Sequence, residues 1–246
     1  MEGWIRQQLI ERQPPLGQSP VMFQRWFHLL LLHWPIEPQT IQTTLPAGLQ
    51  VDTFAGKGWI GIVPFFMRDV RPAGLPSVVG LSNFLELNLR TYVRDRDGRP
   101  GIWFYSLDAN QPFAVWIARV CFALPYQHAV MRTNIEGREI AYWSARLGSG
   151  EALHYRYRTV SDLEEAGFGS LEFFLLERYR LFAYRLDRLL TGRVYHAPYR
   201  VGKAIVHELD SRLFKLDGFE IPSEPPAHAA YVRRVDVSIY PIALAK

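Results

Sequence analysis

Residues 84–95 alternate polar and apolar side chains, which places Glu86, Asn88, Arg90 and Tyr92 on one face of an extended segment and Leu85, Leu87, Leu89 and Val93 on the other. A period of two over this length marks a β-strand, whose successive side chains point to opposite faces. Residues 84–108 are therefore expected to form a hairpin. A three-residue loop at Arg96-Asp97-Gly98, a type I turn followed by a left-handed glycine, is a common way to join such strands. Counting outward from that loop sets Arg90 opposite Phe104, Asn88 opposite Ser106 and Glu86 opposite Asp108, with Trp103, Tyr105 and Leu107 on the apolar side. A carboxylate, an amide and a guanidinium then share one space, and their fixed hydrogen-bond geometry suits recognition of a small polar molecule.

The same pattern reading covers the rest of the chain. Ser19-Pro20 has the form of a helix start, but the apolar run 26–34 that follows fits a helix or a buried strand equally. Residues 38–45 read as a short helix, and 49–54 and 59–70 as strands around the glycine turn 55–58. Residues 110–124 read as a helix with Asn110 as its N-cap; it is apolar nearly all round, which predicts burial. Residues 139–147 and 151–160 form a predicted hairpin, Ser161-Asp162-Leu163-Glu164 fits a capping box, and 170–179 reads as a second short helix. Strands return from Arg180 and end at 231–239. Many strands with few helices predict an α+β protein, mainly antiparallel, whose sheet closes or nearly closes on itself. No linker or repeat divides the chain, so residues 1–246 are expected to form a single domain with 1–18 as a polar, peripheral lead-in.

Charge and composition narrow the function. The chain has 246 residues, is 48% hydrophobic and carries a net charge of +4. Its lysines are Lys57, Lys203, Lys215 and Lys246, so the positive charge is nearly all arginine, scattered rather than gathered into the basic stripe that nucleic acid requires. The single Cys121 lies in an apolar run, excludes an intrachain disulfide, and reads as an inert buried thiol. No signal peptide and no span long enough for a bilayer is apparent. These features predict a cytoplasmic protein without nucleic-acid or membrane partners, with homo-oligomerisation left open.

A series of ordered motifs carries a family resemblance. His33-Trp34-Pro35, Leu45-Pro46-Ala47-Gly48-Leu49, Val51-Asp52-Thr53-Phe54, Glu86 through Val93, Ser106-Leu107-Asp108-Ala109, Ala118-Arg119, Leu124-Pro125-Tyr126 and Glu177-Arg178-Tyr179 together resemble the bacterial DUF2071 (YqjF-like) family over roughly residues 26–199. The resemblance implies an acetoacetate-decarboxylase-like fold, a twisted antiparallel barrel or cone with flanking helices around a central cavity, and implies no particular activity. Decarboxylases of that wider superfamily form a Schiff base on a lysine that follows a Gly-Phe-Pro segment. The comparable segment here, Leu124-Pro125-Tyr126-Gln127, has no lysine, and Glu86 is similar in place to a strand glutamate of the decarboxylase site.

Other chemistries lack their sequence signs. The seven histidines show neither His-x-His nor His-Glu-x-x-His spacing, and no Gly-x-Ser-x-Gly, P-loop or dinucleotide-binding fingerprint is present. His33 reads as a hydrogen-bonded core residue and Glu177-Arg178 as a structural salt-bridge pair. Arg119 interrupts an apolar helix and is expected to be buried against Asp108 or Glu86, because an uncompensated buried charge costs several kcal/mol. The expected site is therefore a cavity for an anionic or carbonyl-bearing small organic ligand, lined or ordered by Glu86, Asn88, Arg90, Asp108, Arg119 and Tyr126. No metal and no cofactor is expected, and no catalytic role is assigned. Two alternatives stand beside this one: a Schiff-base lyase using Lys203, and a structural or interaction module.

Overall fold

The computed structural model describes residues 3–245. Its strands are β1 (Met22–Ile36), β2 (Leu49–Val51), β3 (Gly58–Pro72), β4 (Phe84–Asp95), β5 (Pro100–Ala109), β6 (Tyr126–Glu136) and β7 (Glu139–Arg146). They continue with β8 (Leu153–Thr159), β9 (Glu164–Glu165), β10 (Arg180–Arg185), β11 (Arg188–His196), β12 (Arg200–Glu208), β13 (His228–Ile239) and β14 (Ala243–Leu244). Five helices intervene: α1 (Gly3–Glu11), α2 (Pro38–Gln42), α3 (Pro112–Phe122), α4 (Leu171–Leu176) and α5 (Leu213–Leu216). The ambiguous run at 26–34 is strand, part of the fifteen-residue β1, and Ser19-Pro20 leads into it as extended chain rather than starting a helix. Ser161 likewise caps no helix, since the chain passes directly into β9.

Pairing is mostly antiparallel, with parallel contacts at β10–β5 and β5–β6. Strands β13, β1, β3, β4 and β5 form a shared wall. The outer edges of β5 and β13 each serve two neighbours. On β5, Ile102 and Trp103 pair with β10 while residues 107–109 pair with β6. On β13, residues 230–232 pair with β12 while 237–239 pair with β11. The wall thus closes into one ring through β10 and β11 and into another through β6, β7, β8 and β12.

Alternation along the wall divides the core accordingly. Leu29, Val63, Phe65, Tyr92, Leu107 and Val232 face the first ring. Leu30, Ile62, Leu85, Leu87, Leu89 and Tyr231 face the second. Both faces of β4 are therefore buried, and its alternation sorts its side chains between two interiors rather than between core and solvent.

The hairpin differs from expectation in one respect. The loop at 96–98 is as read: Asp95 N–H bonds Arg99 O, Gly98 has φ +75°, and Arg90 lies opposite Phe104. Beyond that pair the register shifts by one residue at a β-bulge, so Leu89 opposes Ser106, Asn88 opposes Leu107, and Leu87 opposes Asp108. A slip of one residue exchanges faces. Leu107 therefore turns into the first ring, and Ser106 and Asp108 turn away from it. The bulge lies where β5 passes from its β10-paired half to its β6-paired half, the kind of corner at which strands bend to change partners.

Helix α3 is also corrected. Its N-cap is Gln111, whose side chain accepts from Phe113 N–H, not Asn110. It lies on the surface: Phe113, Trp116 and Val120 are exposed, Cys121 is exposed rather than buried, and of its side chains only Val115 is fully buried. The lead-in is not merely peripheral. Gln8 on α1 donates to the carbonyls of Phe174 and Glu177, and Glu11 is buried against Arg180 at 2.9 Å.

Candidate functional site

The first ring encloses a cavity of about 550 Å³. Its floor is the polar face of β4. Glu86, Asn88 and Arg90 occupy alternate positions, so all three side chains enter the cavity, and all three are almost fully buried. Tyr126, the first residue of β6, sits beside Leu107 on β5, which itself sits beside Asn88. Its position follows from the tight return after α3, where Ala123 adopts φ +53° and Pro125 precedes the strand. From there the Tyr126 hydroxyl donates to Glu86 Oε2 at 2.6 Å, and Asn88 Nδ2 donates to Glu86 Oε1 at 3.3 Å. The backbone carbonyl of Glu86 accepts from Tyr142 at 2.8 Å. Burial pushes the Glu86 carboxyl up to about 7 against these hydrogen bonds and the Arg90 charge, and it holds Tyr126 well above the usual phenol range, assisted by Glu86.

Arg90 is the unusual member. Its residue is 6% exposed, yet no carboxylate lies within ion-pair distance and no hydrogen bond to it is found among the described residues; Nε is buried without an acceptor. Its contact is with the Tyr92 ring, whose centroid is 5.9 Å away. Tyr92 is fixed from behind by His33, which bonds the Tyr92 hydroxyl at 2.6 Å and His228 at 2.9 Å. Gly61 makes room for that imidazole, since a Cβ there would stand 2.7 Å from His33 Cδ2. His33 is thus the hydrogen-bonded core residue expected, and burial holds its pKa well below the usual imidazole value.

Two further guanidiniums reach the cavity and were missed in the sequence. Arg178 pairs with Asp52 at 2.7 Å, not with Glu177, and stacks on Phe174 at 4.3 Å. Arg180 pairs with Glu11. Glu177 instead accepts from Tyr179. Both arginines are compensated by carboxylates, which distinguishes them from Arg90. The sequence offered no sign of the Arg178–Asp52 pair, because its partners are 126 residues apart.

Two residues expected at the site lie elsewhere. Asp108 projects into the second ring, where Arg146 donates to it at 2.9 Å and to Asp217 at 2.8 Å, and where Ser106 joins the same cluster. Burial pushes Asp108 up to about 7 in spite of Arg146. Arg119 is exposed and pairs with no carboxylate among the described residues. In the last turn of α3 it donates to Tyr126 O at 2.6 Å and Gln127 Oε1 at 3.3 Å, tying the helix end to β6.

The model of the DUF2071 family, described as "Uncharacterized conserved protein (COG2071)", matches residues 23–236. The chain belongs to the DUF2071 family. A relative from Bacillus subtilis (strain 168), "Uncharacterized protein YqjF", is 36% identical over 224 residues, covering 90% of this chain and 91% of that one. Among solved structures, the enduracididine biosynthesis enzyme MppR complexed with pyruvate aligns with a TM-score of 0.64 at 13% identity over 93% of this chain and 91% of that chain. Acetoacetate decarboxylase from Legionella pneumophila aligns with a TM-score of 0.61 at 12% identity over 100% and 96%. An acetoacetate decarboxylase-like enzyme from Sphingomonas wittichii RW1 gives 0.60 at 14% over 93% and 94%. The DUF2071 chain thus has the acetoacetate-decarboxylase-like fold.

Lysine placement in this DUF2071 protein bears on the chemistry that fold can host. No lysine is among the described residues lining the cavity, and Lys203 is exposed on β12. Among the described residues no cluster of His, Cys, Asp and Glu could hold a metal ion, and no helix is long and apolar enough to cross a membrane.

Proposed function

We propose that this DUF2071 protein binds a small organic anion in the first-ring cavity, seating a ligand carboxylate on Arg90, with Glu86 as the acid–base group beside it. The observation that carries this is the buried Arg90 guanidinium, which has no anionic partner among the described residues. A buried charge left uncompensated costs several kcal/mol, and a fold keeps one at a cavity floor when a ligand supplies the counter-charge. The planar guanidinium fork suits a carboxylate in particular.

Glu86 fits a proton-transfer role on two grounds. Its pKa of about 7 is matched to neutral conditions, and Tyr126 and Asn88 hold its orientation. A protein of the same fold was solved with pyruvate, a carboxylate with an adjacent carbonyl. The chemistry proposed here dispenses with a Schiff base, which is supported by the exposure of Lys203 and the absence of lysine among the described lining residues.

A thermal-shift screen of keto acids, hydroxyaromatics and short carboxylates tests the proposal, because a ligand specific to the folded state raises apparent stability by mass action. Carboxylates are expected to raise the Tm of the wild-type chain and not that of Arg90→Gln. Equal stabilisation of both proteins would remove Arg90 as the anion receptor.

A further inference from the structure

The walls above the polar floor constrain the ligand's body. Trp26, Phe65, Phe84, Ile117, Leu176 and Ile239 represent a lining that is apolar almost throughout. Gln24 and Ser82, polar groups higher in the cavity, are already occupied: Gln24 accepts from Trp26 Nε1 at 2.8 Å and Ser82 Oγ from Val78 N–H at 2.8 Å. Among the described residues, the lining's buried polar atoms without a partner belong instead to Asn88, Arg90, Arg178 and Arg180.

Size points the same way. At the roughly 30 Å³ that a water occupies in the liquid, about 550 Å³ is room for on the order of fifteen to twenty non-hydrogen atoms, against about six in pyruvate.

The mouth continues the trend. Residues 72–85 and 109–118 contain no charged side chain. Leu75, Val78 and Phe113 line the cavity and are also exposed, so its apolar surface runs out to solvent between residues 75–82 and α3. The two sides of this mouth are joined where Gln111 Nε2 donates to Gly80 O at 2.6 Å.

We infer that the ligand is an amphiphilic monocarboxylate, its carboxylate on Arg90 and an aliphatic or aryl-aliphatic body of roughly eight to fifteen carbons lying along the apolar walls toward the α3 mouth. This rests on the anion-binding proposal above and adds to it the chemistry of the rest of the molecule. It accounts for the apolar cavity-facing side of α3, where Ala114, Ile117 and Phe122 line the space the tail fills.

Isothermal titration with a homologous series tests it: pyruvate, butyrate, hexanoate, octanoate and decanoate below their micellar concentrations, each straight-chain acid beside its primary amide. Affinity is expected to rise about three- to fourfold per methylene, with an increasingly negative heat-capacity change. Octanoate is expected to bind at least tenfold more tightly than octanamide to wild type, and no more tightly than octanamide to Arg90→Gln. Ala114→Phe, next to Phe113 at the mouth end of α3, is expected to weaken decanoate while leaving butyrate unchanged. If pyruvate binds through Arg90 as tightly as decanoate, the amphiphile class is overturned while the anion proposal stands. If acid and amide bind alike to wild type and to Arg90→Gln, the anion proposal fails with it.

Discussion

The Tyr126 hydroxyl donates a 2.6 Å hydrogen bond to Glu86 Oε2, joining the start of β6 to β4 of the shared wall across the intervening strand β5. The pair sets the electrostatics of the cavity floor. Burial raises Glu86 to about 7, and the Tyr126 hydrogen bond opposes that rise by favouring the carboxylate.

One consequence is a pH dependence of ligand affinity. The proposed anion is repelled by ionised Glu86 and tolerated by its neutral form, so affinity for a carboxylate is expected to fall as pH rises through about 7. Glu86→Gln should flatten that profile between pH 5.5 and 8.5. Tyr126→Phe should move its midpoint upward, and calorimetric titration across this range reads both effects.

Stability has its own pH dependence. Glu86 and Asp108 both have folded pKa values of about 7, above the ordinary carboxylate values of 4.5 and 3.8. The folded state therefore binds more protons between those limits, and stability falls as pH rises from about 4 to about 7. The Glu86 share is on the order of 3 kcal/mol at most, since one pKa unit corresponds to about 1.4 kcal/mol. Urea unfolding at pH 5 and pH 8 should show a smaller loss for Glu86→Gln than for wild type.

Arg90 and Arg146 are expected to respond oppositely to the same substitution. Arg146→Met leaves Asp108 and Asp217 without their shared cation and should cost about 3–5 kcal/mol. Arg90→Met removes a charge that has no carboxylate partner among the described residues, and should be neutral or stabilising by about 1–3 kcal/mol while abolishing carboxylate binding. Equilibrium unfolding of the two variants compares them; a strongly destabilised Arg90→Met would indicate a structural partner for Arg90.

The proposal that this protein works without a Schiff base is open to trapping. Incubation with a β-keto acid and borohydride followed by mass spectrometry is expected to show no stoichiometric adduct. A covalent adduct on Lys203 would restore the lyase alternative.

Much of the site was legible because β4 is regular where it matters. Period-two alternation set Glu86, Asn88 and Arg90 on one face, and the turn at 96–98 set the pairing of Arg90 with Phe104. Asp108 was misplaced because the bulge answers a non-local demand, the change of partner along the outer edge of β5 from β10 to β6, which no residue near Tyr105 announces. Arg119 and α3 were misread for a different reason. An all-round apolar helix normally signals burial, but here α3 is the rim of a cavity, exposed on one side and lining on the other, and its cation serves the helix C-terminus. The Arg178–Asp52 pair depends on closure of the first ring and has no local signature.

The most direct test of the central proposal is a crystal structure of the protein with a bromine-terminated octanoate, whose anomalous signal locates the tail independently of the carboxylate. The expected result is a carboxylate within hydrogen-bond distance of the Arg90 guanidinium and a bromine peak between α3 and residues 75–82. A carboxylate bound on Arg119 or elsewhere on the surface, with no density in the first-ring cavity at saturating ligand, would contradict it.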